Sequence, residues 1–272
     1  MTHVESPHDL KKPELPRYDL RLPKKAEDLD QDQEWCEVQI DGEWRRFRFH
    51  DYDEIYRVPG LYEQIFYERL KCASPKRVVG LLDDALHENE SSPKSIRALD
   101  VGAGNGIVGE ELKDIGVPEI VGVDLIQEAA DAAHRDRPGV YDDYHAVDLT
   151  AMPGEVRASL EARKFNLLTI VAALGFNDIP PQAFAEGFNL VENGGWVAFN
   201  IKEDFITDDD TAGFERLVRH MMRRKYISMQ AYSRYRHRLN TAGERLYYVA
   251  IVARKDHDID PEFLEEMAAA AR

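Results

Sequence analysis

Cysteine is scarce in this 272-residue sequence: Cys36 and Cys72 are all it has, far apart and without a Cys-x-x-Cys or Cys/His spacing. That scarcity removes zinc-site and disulfide-framework readings, so no metal is expected and both thiols are expected to be buried. Long apolar runs are missing too, none approaching the ~20 residues of a membrane span, so no membrane partner is expected. The first 25 residues carry Pro7, Pro13, Pro16 and Pro23 among charges and lack the apolar core of an export signal, which predicts a cytoplasmic location. Positive charge is the minority, 35 Lys and Arg against 51 Asp and Glu for a formal net charge of −16. A phosphate backbone is bound through many cationic contacts, so nucleic acid is disfavoured as a partner.

What is present suits a folded α/β chain: 43% apolar and 32% charged residues, in a length suited to one core with additions. The expected division is an N-terminal extension over 1–90, a core over 91–256 and a helical tail over 257–272. Within the extension, apolar alternation on both sides of Asp41-Gly42 predicts a β-hairpin. Helical spacing follows over 52–70 around Pro59-Gly60, and again from Pro75. The core alternates strands expected at 96–101, 119–124, 141–147, 165–172 and 195–201 with helices at 106–115, 127–135, 155–163, 181–191 and 210–225, as in a parallel sheet covered on both faces. The pattern then changes: 226–238 and 245–254 are two extended runs joined by Asn240-Thr-Ala-Gly-Glu244, a hairpin rather than another βαβ unit.

The chemistry concentrates in Ile96-Arg-Ala-Leu-Asp-Val-Gly-Ala-Gly-Asn-Gly106, a strand running into a glycine-rich turn at the mouth of a helix. Missing Cβ atoms there let a ligand lie against the backbone. Gly104, Gly106 and Gly109 satisfy the GxGxxG pattern of nicotinamide and flavin enzymes, a weak match by itself. Asp100, just before the glycines, would repel an anionic pyrophosphate but attract the ammonium group of a methionine moiety. Asp124 ends the next strand about 20 residues after the loop, placed to accept hydrogen bonds from ribose hydroxyls, as in adenosine binders generally. Asp148 follows the third strand and could accept from an adenine amino group with Leu149 on the ring; a turn or helix-capping role accounts for it equally well.

Ala98-Leu-Asp-Val-Gly-Ala-Gly-Asn-Gly106 and Asp124 resemble the first motif and second-strand acid of class I S-adenosylmethionine-dependent methyltransferases. The resemblance implies a doubly wound seven-stranded sheet in the order 3-2-1-4-5-7-6, with 245–254 as its antiparallel seventh strand. It implies S-adenosyl-L-methionine as cofactor, held by Asp100, Gly102, Ala103, Gly104, Asn105, Gly106, Asp124, Leu125, Asp148, Leu149, Val171 and Ala172. The aromatic stretch from His50 to Tyr67 resembles the lead-in that closes over the cofactor in such enzymes, with Tyr52 and Tyr56 as lid residues and Tyr62 and Tyr67 as further candidates. Gly102–Glu110, Ala172-Ala-Leu-Gly175 and Gly194-Gly-Trp196 are loosely similar to the Williams-Beuren-region methyltransferase group. The segment Val171-Ala-Ala-Leu-Gly-Phe-Asn-Asp178 departs from the Pro-Pro-aromatic slot of nucleic-acid N-methyltransferases, so a small-molecule methyl acceptor is expected.

Methyl transfer from a sulfonium is an in-line displacement that needs alignment more than a fixed triad. Phe176, Asn177 and Asp178, with Lys202, Glu203 and Asp204, are expected to line the acceptor side; Asn177, Asp178, His50 and His145 are the candidates for moving a proton. Each is explained as readily by a solvated or structural role. Arg219, Arg223, Arg224, Lys225, Arg234, Arg236 and Arg238 form a basic patch that a charged helix and strand edge would also explain. The competing functions are an NAD-linked oxidoreductase, which needs an uninterrupted parallel sheet, and a non-catalytic S-adenosylmethionine-binding interaction protein.

Overall fold

The computed structural model describes residues 13–23, 29–174, 179–203 and 213–264, with the backbone alone over 213–217. The chain begins with β1 (Leu20–Arg21), β2 (Trp35–Ile40) and β3 (Glu43–Arg48), an antiparallel three-stranded sheet. The hairpin lies where the alternation placed it. Asp41 and Gly42 both take positive φ, 53° and 85°, matching the twist of the flanking strands. The third strand is an addition to the expected two, because two residues are too short to show a period. Cys36, Val38 and Phe47 point inward to meet Phe49, Ile55, Leu61, Ile65 and Phe66 in a small core of their own. On the opposite face Arg21 and Arg46 lie over Trp44 and Trp35.

Helix α1 (Tyr52–Arg57) and a π-helical segment (Glu63–Arg69) flank Pro59-Gly60, and α2 (Ser74–Glu88) follows with proline in its first turn. The alternating series then runs β4 (Arg97–Val101), α3 (Ile107–Asp114), β5 (Glu119–Asp124), α4 (Gln127–Asp136), β6 (Asp143–Ala146), α5 (Gly154–Ala162), β7 (Phe165–Ile170), α6 (Pro181–Asn189), β8 (Val191–Lys202), α7 (Gly213–Arg223), β9 (Ile227–Leu239) and β10 (Arg245–Lys255). Expected and observed ends differ mostly by one to three residues, where strands and helices fray into loops.

The large sheet has the order β6-β5-β4-β7-β8-β10-β9, the expected 3-2-1-4-5-7-6. β10 is antiparallel to both neighbours, with Val249 opposite Ile201 and Arg234. The sheet is therefore not the uninterrupted parallel one that a nicotinamide-enzyme reading requires. Period-two alternation sends Leu99, Val121, Leu168 and Phe199 to one face, with Phe184 and Phe188 of α6, and Ala98, Ile120, Leu167 and Ala198 to the other, with Val78 and Leu82 of α2. Burying both faces leaves the carboxyl ends of the strands as the place for a cleft. No helix among the described residues is long and apolar enough to cross a membrane.

Two expectations need correction. Cys72 is only partly buried, though Cys36 is fully so, and both are free thiols. Arg238 is not part of a surface patch: it is 4% exposed and ion-paired with the buried Glu34, because a bulge at His237 breaks the alternation that leaves Arg234 and Arg236 exposed. Arg234 on the same strand is solvated and paired with Glu203.

Candidate active site

A cavity of about 240 Å³ opens over the carboxyl ends of β4, β5 and β7. Its floor is Val101 and Gly102 from β4 and the turn after it, and one wall is Val123, Asp124, Leu125 and Ile126. Val147, Asp148 and Leu149 close one end, while Val171, Ala172 and Ala173 meet Ile179, Pro180 and Ala183 at the other. Tyr52, Tyr56 and Tyr62 cover it. Of the residues chosen from sequence, Tyr52, Tyr56, Gly102, Asp124, Leu125, Asp148, Leu149, Val171 and Ala172 thus meet around one space.

The rest of the glycine motif shapes the turn from behind. Gly104 has φ of 53° and donates its N–H to Asp124 Oδ2 at 2.9 Å; a Cβ built on it would lie 2.5 Å from the Tyr56 hydroxyl. Ala103, Gly104, Asn105 and Gly106 are buried and none lines the cavity. Asn105 faces away and donates to Glu63, which also receives Arg137 Nη1 at 2.6 Å. Asp100 is not beside the cavity, contrary to the expectation. It lies inside β4, 1% exposed, accepting from Thr169 Oγ1 and Tyr141 Oη at 2.7 Å each. Burial pushes its carboxyl up to about 7, the two hydrogen bonds opposing that shift.

Asp124 is half-buried and borders the cavity; its carboxylate accepts from the backbone N–H groups of Gly104 and Ile126, and that of Leu125 also favours its charged form. Desolvation raises its pKa against those hydrogen bonds. Asp148 Oδ1 accepts from the N–H and hydroxyl of Thr150, the turn role that the sequence left open, while the residue still borders the cavity. Leu125 is 64% exposed at the mouth, a large apolar side chain that water leaves uncompensated.

The tyrosine-bearing segment is pinned by ionic groups on α4. Arg135 donates to the Tyr56 carbonyl at 3.0 Å and Arg57 to Glu128 at 2.6 Å, so Tyr56 packs on Ala129 and Ala132. Tyr67 does not reach the cavity. His145 does not either, its Nε2 lying 3.3 Å from the Asp143 carboxylate. His50 borders a second, smaller cavity. Asn177 and Asp178, with Phe176 and Asp204, fall outside the described residues. Lys202 and Glu203 line neither of these cavities. Sequence reasoning missed Tyr141 and Tyr144, whose hydroxyls hold Asp100 and the Gly104 carbonyl, the latter at 2.8 Å; a tyrosine in a polar run gives no signal of whom it will meet.

The family model described as a methyltransferase domain matches residues 75–243, which take in the glycine turn, Asp124 and the antiparallel hairpin's first strand. The chain belongs to this methyltransferase family. Among curated relatives, it is 34% identical over 106 residues to the ubiquinone biosynthesis O-methyltransferase of Burkholderia multivorans, covering 38% of this chain and 43% of that protein. It is 29% identical over 117 residues to the mitochondrial enzyme of the same name from Candida albicans, covering 42% and 35%. The chain thus spans less than half the length of these relatives. Among solved structures, a putative RNA methyltransferase from Pyrococcus horikoshii has a TM-score of 0.49 at 12% identity over 68% of this chain and 87% of that one. An S-adenosylmethionine-dependent methyltransferase from Clostridium acetobutylicum has 0.47 at 14%, over 72% and 96%.

S-adenosyl-L-methionine is the cofactor expected from membership of this methyltransferase family, and the residues present fit it. The turn is closed to any side chain at Gly102 and Gly104, an ionisable carboxylate borders the cavity, and the walls around Leu125, Ile126 and Leu149 are apolar.

Proposed function

We propose that this chain transfers the methyl group of S-adenosylmethionine to a small-molecule acceptor in the cavity over β4 and β5. The observation that carries this is the Asp124 carboxylate, held by Gly104 and Ile126 at the edge of an apolar, tyrosine-covered space. When bound, the cofactor supplies an electrophilic methyl on a sulfonium. The protein's task is then to grip, orient and exclude water. Asp124 would accept the ribose hydroxyls, and Leu125, Ile126 and Leu149 would sandwich the adenine. Asp148 would offer Oδ2 to its amino group, since Oδ1 is engaged by Thr150. Tyr52, Tyr56 and Tyr62 would shut the chamber. Asp100, bonded to Tyr141, acts through the shape of the glycine turn. The curated relatives' name as O-methyltransferases of ubiquinone biosynthesis supports an oxygen nucleophile on a small molecule.

Residues 1–90 are taken as the lead-in, 91–256 as the catalytic core and 257–272 as a tail, with α2 of the lead-in covering the core sheet. Two unbridged thiols fit a reducing cytoplasm. Calorimetric titration of the protein and of Asp124→Ala with S-adenosylmethionine and with NAD tests the proposal. Binding of the methyl donor that weakens about 100-fold in the variant is expected, from loss of two charge-assisted hydrogen bonds. Tight NAD binding, or no donor binding, would refute it.

A further inference from the structure

The small N-terminal sheet has an outer face and an edge that methyl transfer leaves unused. Alternation sends Cys36, Val38 and Phe47 into the core beneath, so Arg21, Trp35, Glu37, Trp44, Arg46 and Arg48 share the other face. The Arg21 guanidinium lies 3.9 Å from the centre of the Trp44 ring and that of Arg46 lies 3.8 Å from the centre of Trp35. Glu37 bridges the two arginines, at 2.7 and 3.3 Å. This row of rings and ions keeps two tryptophans at the surface, Trp44 with 41% of its area exposed. The chain has three tryptophans, and the third, Trp196, is buried, so the exposed pair is concentrated on this one face.

Charge on this face runs against that of the whole. Arg21, Arg46 and Arg48 meet one carboxylate there, Glu37, and Arg45 stands exposed on the same strand, while the chain carries a net −16. Neither Arg45 nor Arg48 forms an ion pair among the described residues.

The third strand is also an edge: among the described residues β3 pairs with β2 alone. Two bonds of 2.9 Å fix the phase of the ladder, from Phe49 N–H to the Glu34 carbonyl and from Gln39 N–H to the Asp19 carbonyl. Even-numbered residues of β2 therefore bond β3, through Glu43, Arg45 and Phe47, and the residues between these turn their backbone groups outward. Trp44 and Arg46 each offer an N–H and a C=O there. Arg48 offers its N–H, its carbonyl being taken by Asp51.

Exposed arginines alone would be explained as charges that keep edge strands apart. Two tryptophans on the same face do not fit that explanation, because they add the apolar surface such charges guard against. Tryptophan and arginine together are the residues enriched where proteins bind one another. We propose that β3 is a docking edge for an acidic, extended segment of another protein, which adds as a fourth strand with carboxylates opposite Arg46 and Arg48. Outward backbone groups on alternate residues select an extended polypeptide, and the uncompensated arginines select acidic side chains. A second copy of this chain would bring its own arginines to the same edge, like charge against like.

The test uses the full chain and, as probe, a blocked peptide alternating glutamate and threonine, read by calorimetry and by amide hydrogen exchange. Its counterparts are a lysine–threonine peptide of equal length and a fully N-methylated form of the probe, which keeps the charge but has no backbone N–H to donate. The probe is expected to bind about tenfold more tightly than either counterpart and to slow exchange at Trp44, Arg46 and Arg48. Arg48→Glu and Trp44→Ala, both at exposed positions away from the donor cavity, should each weaken the probe about tenfold while moving Tm by less than about 4 °C. Equal binding of the N-methylated form, unchanged exchange at those amides, or full probe affinity in both variants overturns the proposal. So does tighter binding of oligothymidylate or of phosphatidylserine vesicles, or a dimer of the free protein that Trp44→Ala dissolves.

Discussion

Replacing Gly104 by alanine probes how the turn and Tyr56 fit together. A Cβ there sits at a φ of 53°, which costs an L-residue about 1–2 kcal/mol. It also falls 2.5 Å from the Tyr56 hydroxyl and 3.4 Å from Cζ, so Tyr56 must swing off the turn at an overpacking cost of about 1–3 kcal/mol. Gly104→Ala should therefore lose about 2–5 kcal/mol, a fall in Tm on the order of 10 °C for a chain of this size. Tyr56→Phe removes the clashing oxygen but not the dihedral strain. In a double-mutant cycle read by thermal or urea unfolding, the pair should be more stable than the summed single effects predict by about 1–2 kcal/mol. Strict additivity would refute the contact, and an unchanged Tm in Gly104→Ala would refute both terms.

Asp100, whose carboxyl is raised to about 7, keeps its proton in the folded state where the unfolded chain has lost it. Folding then takes up a proton between about pH 4 and 7, so this group's contribution declines as pH rises through that window, by up to about 4 kcal/mol. Asp100→Asn should flatten that part of the urea-midpoint profile, and an unchanged slope would count against the buried placement. Glu34→Ala leaves Arg238 buried without its partner and the Thr241 N–H without its acceptor, which should cost about 3–5 kcal/mol in urea unfolding. Leu125→Ser, at an exposed position, should leave Tm nearly unchanged yet weaken S-adenosylmethionine about tenfold in calorimetry, because bound ligand would bury that side chain.

The glycine turn was legible because it depends on short-range pattern, and the sheet order came from the family resemblance which that pattern carries. Apolar alternation marks strands, Gly102 to Gly106 marks a close backbone approach, and the loss of βαβ rhythm after residue 225 marks the antiparallel ending. Asp124 was readable for the same reason, sitting at a strand end at a fixed distance from the loop. Asp100 was misplaced because adjacency to the motif does not reveal which way a strand residue points. Alternation turns it inward to Thr169 and Tyr141, from strands and loops 41 and 69 residues away.

The smaller cavity that His50 borders lay beyond any local pattern. Gln31, Cys72, Ala172 and His237 are scattered over more than 200 residues and are brought together when the N-terminal sheet packs against β9. The glycine turn and the position of Asp124 at a strand end are written in short stretches of the sequence, and the seven-stranded architecture followed from the family resemblance they carry. Which tyrosines cover the cavity and that Arg238 is buried were settled by packing between distant segments. Long-range packing and desolvation set those properties, and neither is a function of neighbours in the chain.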